Sequence, residues 1–304
     1  MNGFERTQKL KAKAAELGFE LSGAVAAQPS NDYPYFLEWL QKGYAGEMGY
    51  LDRRKAERGS PDSLLPGVRF LFCVALSYNP KEPLYPLLEN HPISCYAWGQ
   101  DYHEVLGEKL EQLSNYLKEL APDCRTKWYV DTGPVLEKSY AAAAGLGWIG
   151  KNTLLLNRRW GSFLFLGEIL TDAELAPDEP GDSLCRTCTA CLDACPTGAL
   201  EEAGVLNATK CISYLTLEHR SDFPAAPELK GYLAGCDLCQ TVCPYNQQAP
   251  EGREAGFQPR PEILDLTREK ALTFSQEEFK AFTRHSALER VKYPMWKRNS
   301  QAGS

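Results

Sequence analysis

The segment from Cys185 to Pro244 constrains the fold most, because it holds eight of the eleven cysteines. Its first half reads Cys185-x-x-Cys188-x-x-Cys191-x-x-x-Cys195-Pro196. Its second reads Cys236-x-x-Cys239-x-x-x-Cys243-Pro244, with Cys211 alone between them. Short turns place several soft thiolates around one site, and the prolines end each run sharply. The first spacing is the bacterial run for 4Fe–4S clusters, whose fourth cysteine ligates the other cluster of a pair. The second run needs one more thiolate, and Cys211 is the one cysteine between the runs. The expected partition is Cys185, Cys188, Cys191 and Cys243 around one cluster, and Cys195, Cys211, Cys236 and Cys239 around the other. A structural zinc site is the alternative, although zinc usually takes paired C-x-x-C units, four ligands to a site. Disulfides fit less well, because the same thiols would have to escape a reducing cytosol.

A chain of 304 residues exceeds one average domain, which suggests two compact units and a tail. Hydrophobic content of 43% and charged content of 24% are those of an ordinary globular protein. No run approaches the eighteen or so apolar residues of a membrane span. The N-terminus has neither the apolar core of a signal peptide nor a twin-arginine signal, so a cytoplasmic protein without membrane contact is expected. The net charge of −7 argues against a large nonspecific nucleic-acid surface and leaves room for a local basic patch. Residues 283–299 supply one: Arg284, Arg290, Lys292, Lys297 and Arg298 against Glu289, five bases minus one acid, or +4.

Taken in order, residues 4–17 read as a helix burying Phe4, Leu10, Ala14 and Leu17, followed by a strand over Leu21–Ala26. A second helix is expected over 32–44, with Asp32 as N-cap and Pro34 in the first turn. The apolar run Val68–Leu76 is a buried central strand, and Ile93–Trp98 another. Asp101 opens the clearest helix, with Leu106, Leu110, Leu113, Leu117 and Leu120 on one face and Glu104 placed for a capping box. Strands Lys127–Asp131, Thr153–Leu156 and Ser162–Leu170, with a helix through Leu136–Ala144, complete an α+β unit over 1–177. Residues 172–195 form an acidic linker into the cluster domain, 178–250, and a basic helical segment occupies 251–304.

Clusters fused to an α+β domain normally feed single electrons to a second cofactor or substrate. The loop Gly145-Leu-Gly147-Trp148-Ile-Gly150-Lys151-Asn152 offers close backbone approach, a flat indole and two polar ends, and equally suits a turn joining helix to strand. No Rossmann or P-loop pattern occurs. Together with the cysteine runs, three stretches resemble the epoxyqueuosine reductases: Trp98-Gly-Gln-Asp101-Tyr-His103, Val130-Asp131-Thr-Gly, and 144–152. The resemblance runs in order to about residue 245. It implies a nitroreductase-like cobalamin-binding domain, related to that of reductive dehalogenases, followed by a two-cluster ferredoxin-like domain. It further implies reduction of epoxyqueuosine to queuosine at the wobble position of the tRNA anticodon, with electrons passed from an external donor through both clusters to cobalamin. Longer family members continue past the basic segment into HEAT-like repeats.

The resemblance makes Asp131 the proton donor, a role that requires burial to raise its pKa; capping of the following helix is the competing role. Asp101 and His103 are placed on the substrate side, His103 being a first-turn residue rather than a cobalt ligand. Arg58 is expected on a corrinoid amide or phosphate, and Ser213 where the second cluster meets the corrin. Leu155 and Leu166 line the ring or simply pack the core. Lys151, Asn152, Cys95 and Asp131 itself are counted as cofactor contacts, Cys95 standing where many relatives are expected to carry a basic residue. Arg290, Lys292, Lys297 and Arg298 are candidate contacts to the anticodon stem-loop, and Cys73 and Cys124 are plain thiols. A monomer is expected. Two other classes fit parts of the pattern: a reductive dehalogenase with both cofactors, and an electron carrier with clusters alone.

Overall fold

The computed structural model describes residues 1–80, 88, 91–223, 225 and 227–302. Its first unit holds strands β1 (Leu21–Ala26), β2 (Phe70–Ser77), β3 (Thr126–Tyr129), β4 (Trp148–Ile149), β5 (Leu155–Leu156) and β6 (Leu164–Thr171). Four of these form an antiparallel sheet of order β1-β2-β6-β3, while β4 and β5 pair as a hairpin. Alternation along the strands divides the core. Phe72, Val74, Leu76, Phe165 and Ile169 face helices α1 (Gly3–Glu16) and α3 (Tyr102–Leu120), meeting Leu10, Ala14, Leu106, Leu110, Leu113 and Leu117. Helix α2 (Tyr33–Gln41) lies between them in sequence. Leu71, Cys73, Ala75, Leu166 and Leu170 face the other way, onto Tyr140, Ala141 and Ala144 at α4 (Glu137–Ala143) and onto Leu146 and Leu155. Burial on both faces is why β2 reads as an unbroken apolar run. Each Leu or Phe so enclosed contributes about 1.5–3 kcal/mol. Gly23 on β1 is required by packing: a Cβ there would lie 2.0 Å from the carbonyl oxygen of Ala144.

Short helices Ala190–Asp193, Leu238–Thr241 and Pro244–Gln247 carry the cysteine loops, beside the ribbon β7 (Leu200–Glu202) and β8 (Val205–Leu206). Cys211 stands at the N-cap of α5 (Ile212–Leu217). After residue 250 the chain forms short helical turns, then α6 (Gln276–Thr283), opened by a Ser275/Glu278 capping box, and α7 (Tyr293–Gln301). This last segment is no loose tail. Ile263, Phe279 and Trp296 share one core with Ile93, Trp98 and Phe163 of the first unit. The linker is likewise anchored, since Asp178 exchanges hydrogen bonds with the backbone of Ala24 (N–H to O, 2.8 Å; N–H to Oδ2, 2.9 Å).

Several expectations need correction. Phe4 is 64% exposed, because α1 turns Leu10 and Ala14 to the sheet and leaves its first turn outside. Residues 93–98 do not form a strand: Ile93 makes a single bridge to Ala234, and Cys95–Ala97 is one 3-10 turn. The Trp98 indole donates to the Ile93 carbonyl (2.8 Å), and Asp237 accepts from the Cys95 amide (2.7 Å), which folds the segment back on itself. Asp32 occupies the N-cap position of α2 without capping it; its carboxylate accepts from Ser139 Oγ (2.6 Å). Asp101 does cap α3, accepting from the His103 amide (2.9 Å).

Candidate active site

At the sheet lies a cavity of about 170 Å³, lined by Tyr78, Tyr96, Tyr102, Asp131, Glu137, Lys138, Leu154, Leu155, Ser162, Leu164, Phe165 and Leu166. Leu155 and Leu166 reach it from β5 and β6. The loop after β3 brings in Asp131, which adopts a left-handed backbone conformation (φ +54°) and leaves about half of its side chain exposed. His103, in the first turn of α3, stands between two carboxylates. Its Nδ1 lies 2.7 Å from Asp101 Oδ1 and its Nε2 3.4 Å from Asp131 Oδ2. The imidazole stacks on Tyr102 (4.1 Å between centroids), which stacks in turn on Phe165 (4.2 Å).

The electrostatics differ from a simple buried acid. Burial pushes the Asp131 carboxyl up, but hydrogen bonds from His103 and Tyr102 override it and hold the group below its ordinary value. Burial likewise opposes charge on His103, yet its bonds to Asp101 and Asp131 raise it to about 9. At neutral pH the proton of this pair therefore sits on His103, not on Asp131 as the sequence reading required. The two groups titrate as a coupled pair. Deeper in, Glu137 is raised to about 7 by burial and by the charge of Asp131. Glu168, 2% exposed on β6, is pushed well above the carboxylate range by burial.

A second cavity, of about 150 Å³, is lined by Cys185, Cys188, Cys191 and Cys243 together with Lys151, Asn152, Leu156, Leu184, Ala190, Pro244 and Tyr245. Cys243 thus joins the three cysteines of the other run. Burial raises Cys236, and the nearby Cys211 and Cys195 raise it further; burial and Cys195 do the same to Cys211. Cys239 feels Cys236, Cys211 and, across the gap between the groups, Cys191. All eleven cysteines are free thiols, and among the described residues no three His, Cys, Asp or Glu converge on a single-ion site. Two adjacent fourfold groups of thiols fit clusters rather than one small ion.

The glycine loop serves this cage. A Cβ on Gly147 would meet the Leu156 carbonyl at 2.0 Å, so that glycine permits the β4–β5 hairpin rather than a ring or phosphate. Trp148 Nε1 donates to Cys185 Sγ (3.3 Å), and Lys151 Nζ donates to the carbonyls of Arg186 (2.7 Å) and Cys188 (2.8 Å). Asn152 reaches the Cys239 carbonyl at 3.4 Å. Lys151 and Asn152 therefore hold cluster loops instead of facing the other cavity. The Ser213 backbone N–H is bonded to the Cys211 sulfur, which places it at the second thiol group.

Arg58 is 8% exposed, lies over the Phe36 ring (5.9 Å), and donates to the Arg54 carbonyl at 3.4 Å. Among the described residues no carboxylate lies within ion-pair distance of it. A buried guanidinium without a counter-charge is costly, and an anionic or amide-rich ligand would relieve it. Helix α2 adds Phe36, Leu37, Trp39 and Leu40, none fully buried. Arg58 against Phe36 and, separately, the Leu155 and Leu166 wall are features that would suit an amide-bearing cofactor with an apolar ring. Cys95 does not line that cavity; it is 4% exposed beside Asp237.

The basic tail is largely committed internally. Arg298 donates to the carbonyls of His219 (2.9 Å), Leu215 (2.9 Å) and Ser221, and lies over Phe223. Lys297 bonds the Leu272 carbonyl (2.9 Å), and Lys292 bonds that of Glu289 (3.2 Å). Arg290 pairs with Glu218 (2.5 Å) and lies over Tyr50. Sequence reasoning missed Glu137, the tyrosines of the cavity wall and Asp237. A glutamate inside the apolar run 163–170 was the readable sign of a buried carboxyl.

Residues 58–132 match the family described as "Epoxyqueuosine reductase QueG, DUF1730", and residues 184–246 match the "4Fe-4S double cluster binding domain". The epoxyqueuosine reductase of Gloeobacter violaceus is 43% identical over 97% of this chain and 94% of that protein. This chain belongs to the epoxyqueuosine reductase family. The Escherichia coli K12 member is 37% identical over 96% of this chain and 79% of its own length. A solved epoxyqueuosine reductase carrying an epoxyqueuosine-modified tRNA-Tyr stem loop superposes with a TM-score of 0.88 at 33% identity, covering 98% of this chain and 80% of that one. A Bacillus subtilis member, described with its aspartate catalytic loop swung out of the active site, superposes at 0.86 and 33% identity, covering 98% and 81%. A reductive dehalogenase shares the fold at 15% identity (TM-score 0.50; 84% of this chain, 33% of that one). Among the described residues no helix is long and apolar enough to cross a membrane.

Proposed function

We propose that this epoxyqueuosine reductase removes the epoxide oxygen of epoxyqueuosine in the anticodon loop of tRNA, in the cytoplasm, as a monomer served by an external one-electron donor. The observation that carries the reading is the Asp101–His103–Asp131 chain on a leucine-walled cavity, beside two groups of four thiols. Cys185, Cys188, Cys191 and Cys243 would hold one 4Fe–4S cluster, and Cys195, Cys211, Cys236 and Cys239 the other. Arg58, Leu155, Leu166 and the Ser213 region would hold cobalamin. Cobalamin, when bound, supplies reducing power at the epoxide carbon, and the clusters bring its electrons one at a time. The division of labour is 1–177 for cobalamin, 178–250 for the clusters and 251–304 as a helical buttress.

The chain's own residues handle protons and position. The Asp101 carboxylate fixes the imidazole of His103, whose Nε2–H points to Asp131 Oδ2. As the epoxide oxygen gains negative charge it draws a proton from the Asp131 carboxyl, which His103 has loaded. Tyr102 and Phe165 keep that imidazole from turning away. The aspartate catalytic loop described as swung out of the active site in the Bacillus subtilis member supports assigning the acid to the loop after β3.

The test is reconstitution with iron, sulfide and cobalamin, followed by assay on tRNA carrying epoxyqueuosine. Queuosine should form, and the protein should gain both corrinoid and iron–sulfur absorption. A protein that takes up clusters but no corrinoid would overturn this reading in favour of an electron carrier.

A further inference from the structure

Removing an epoxide oxygen leaves one proton without a source. Two carbon–oxygen bonds break, a carbon–carbon double bond forms and water departs, so the reaction takes up two electrons and two protons. The external donor supplies the electrons through the clusters, and the Asp131–His103 pair accounts for one proton. Building on that functional reading, we propose that Glu137 carries the second proton and releases it into the cavity beside Asp131.

Placement supports this role. Glu137 is the first residue of α4 and lines the same cavity as Asp131, Tyr102 and Lys138. Its carboxylate accepts a hydrogen bond from the Asp131 backbone N–H, so the two acids meet at one turn of chain. Behind it, Glu168 sits on β6 opposite Cys73 of β2 and Tyr129 of β3, inside the core. The groups facing Glu137 are Asp131 and His103 from the cavity, Tyr102 from α3, Glu168 from β6, Cys73 from β2 and its neighbour Lys138. Strands β1, β4 and β5 contribute no titratable side chain. Of these groups only Lys138 and His103 favour the ionised form, and burial with the Asp131 charge outweighs them, giving a value of about 7. A carboxyl so placed is divided between acid and base at neutral pH, the condition for efficient transfer in either direction. Glu168, held higher still, stays neutral and adds no charge that would drive Glu137 further from its poise.

Glu137→Gln keeps an acceptor for the Asp131 amide and removes the proton. Turnover of epoxyqueuosine-tRNA should fall by ~10²-fold, and the decline of wild-type activity through about pH 7 should vanish, leaving only the fall near pH 9 set by His103. Glu137→Asp should recover part of the rate. Carbon-13 resonances of the glutamate side-chain carboxyls in the wild-type protein, free of cobalamin, give a readout independent of activity. One should titrate near pH 7 and disappear in Glu137→Gln. A Glu137→Gln enzyme with wild-type turnover and an unchanged pH profile overturns the proposal. So does the lack of any glutamate titrating between about pH 6 and 8. Wild-type protein that fails to convert epoxyqueuosine would overturn the functional reading instead, while the carboxyl titration would still report on Glu137.

Discussion

Asp131 holds a backbone conformation (φ +54°) that aspartate and asparagine tolerate far better than branched residues. Asp131→Asn therefore preserves the loop while abolishing the acid. Turnover should drop by ~10²–10⁴, with iron content and corrinoid absorption unchanged; near-normal turnover would reject Asp131 as donor. Corrinoid lost together with activity would assign it to cofactor binding. His103 gives a stability signature. Its folded pKa of about 9 lies above the ordinary 6.5, so its two ion pairs stabilise the fold fully below about pH 6.5. That contribution is lost as pH rises through 9. Melting temperature should fall across this window in wild type and fall less in His103→Gln; equal slopes would show that the ion pairs contribute nothing.

At the scale of elements, the cysteine loops predict an exchange between the two runs. Cys195 belongs in sequence with Cys191 but lies with Cys211 and Cys236. Cys195→Ala should abolish the paramagnetic resonance signal that Cys236→Ala abolishes, and spare the one lost in Cys188→Ala. The reverse pattern would redraw the partition. The two cysteine runs were legible because their internal spacing is local and short. Helix α3 and strand β1 were legible for the same reason, α3 through Leu106, Leu110, Leu113 and Leu117 and β1 as the short run Leu21–Ala26. Residues 93–98 were not, because their apolar character comes from burial under Asp237 and Trp296 rather than from sheet pairing. Of the two readings of the glycine loop, the structure displays the turn, as the β4–β5 hairpin. Gly147 answers to the Leu156 carbonyl and Gly145 to that of Glu179, contacts between segments that spacing does not encode. The pKa order of Asp131, His103 and Glu137 depends on distances across three elements, so no reading of residue types could set it.

Across the whole molecule, the basic C-terminus shows that local charge counts do not equal available charge. Arg298→Ala should leave the salt dependence of tRNA binding unchanged and cost ~2 kcal/mol of stability, from lost charged hydrogen bonds to three carbonyls. Neutralising Arg290 and Lys292, which are exposed, should reduce the log–log salt slope by about 1.4, at ~0.7 per phosphate. An unchanged slope in that double variant would move the RNA surface elsewhere. The exchange of cysteines between runs has a topological consequence. Joining Cys191 to Cys243 spans 243 − 191 = 52 residues, and joining Cys195 to Cys236 spans 236 − 195 = 41 residues nested inside the first. Closing either loop in a flexible chain carries an entropic cost that grows only slowly with length, and the first closure meets most of it for the second. If clusters seat as proposed, the two cages should fill and empty together, and loss of iron on exposure to air should be cooperative.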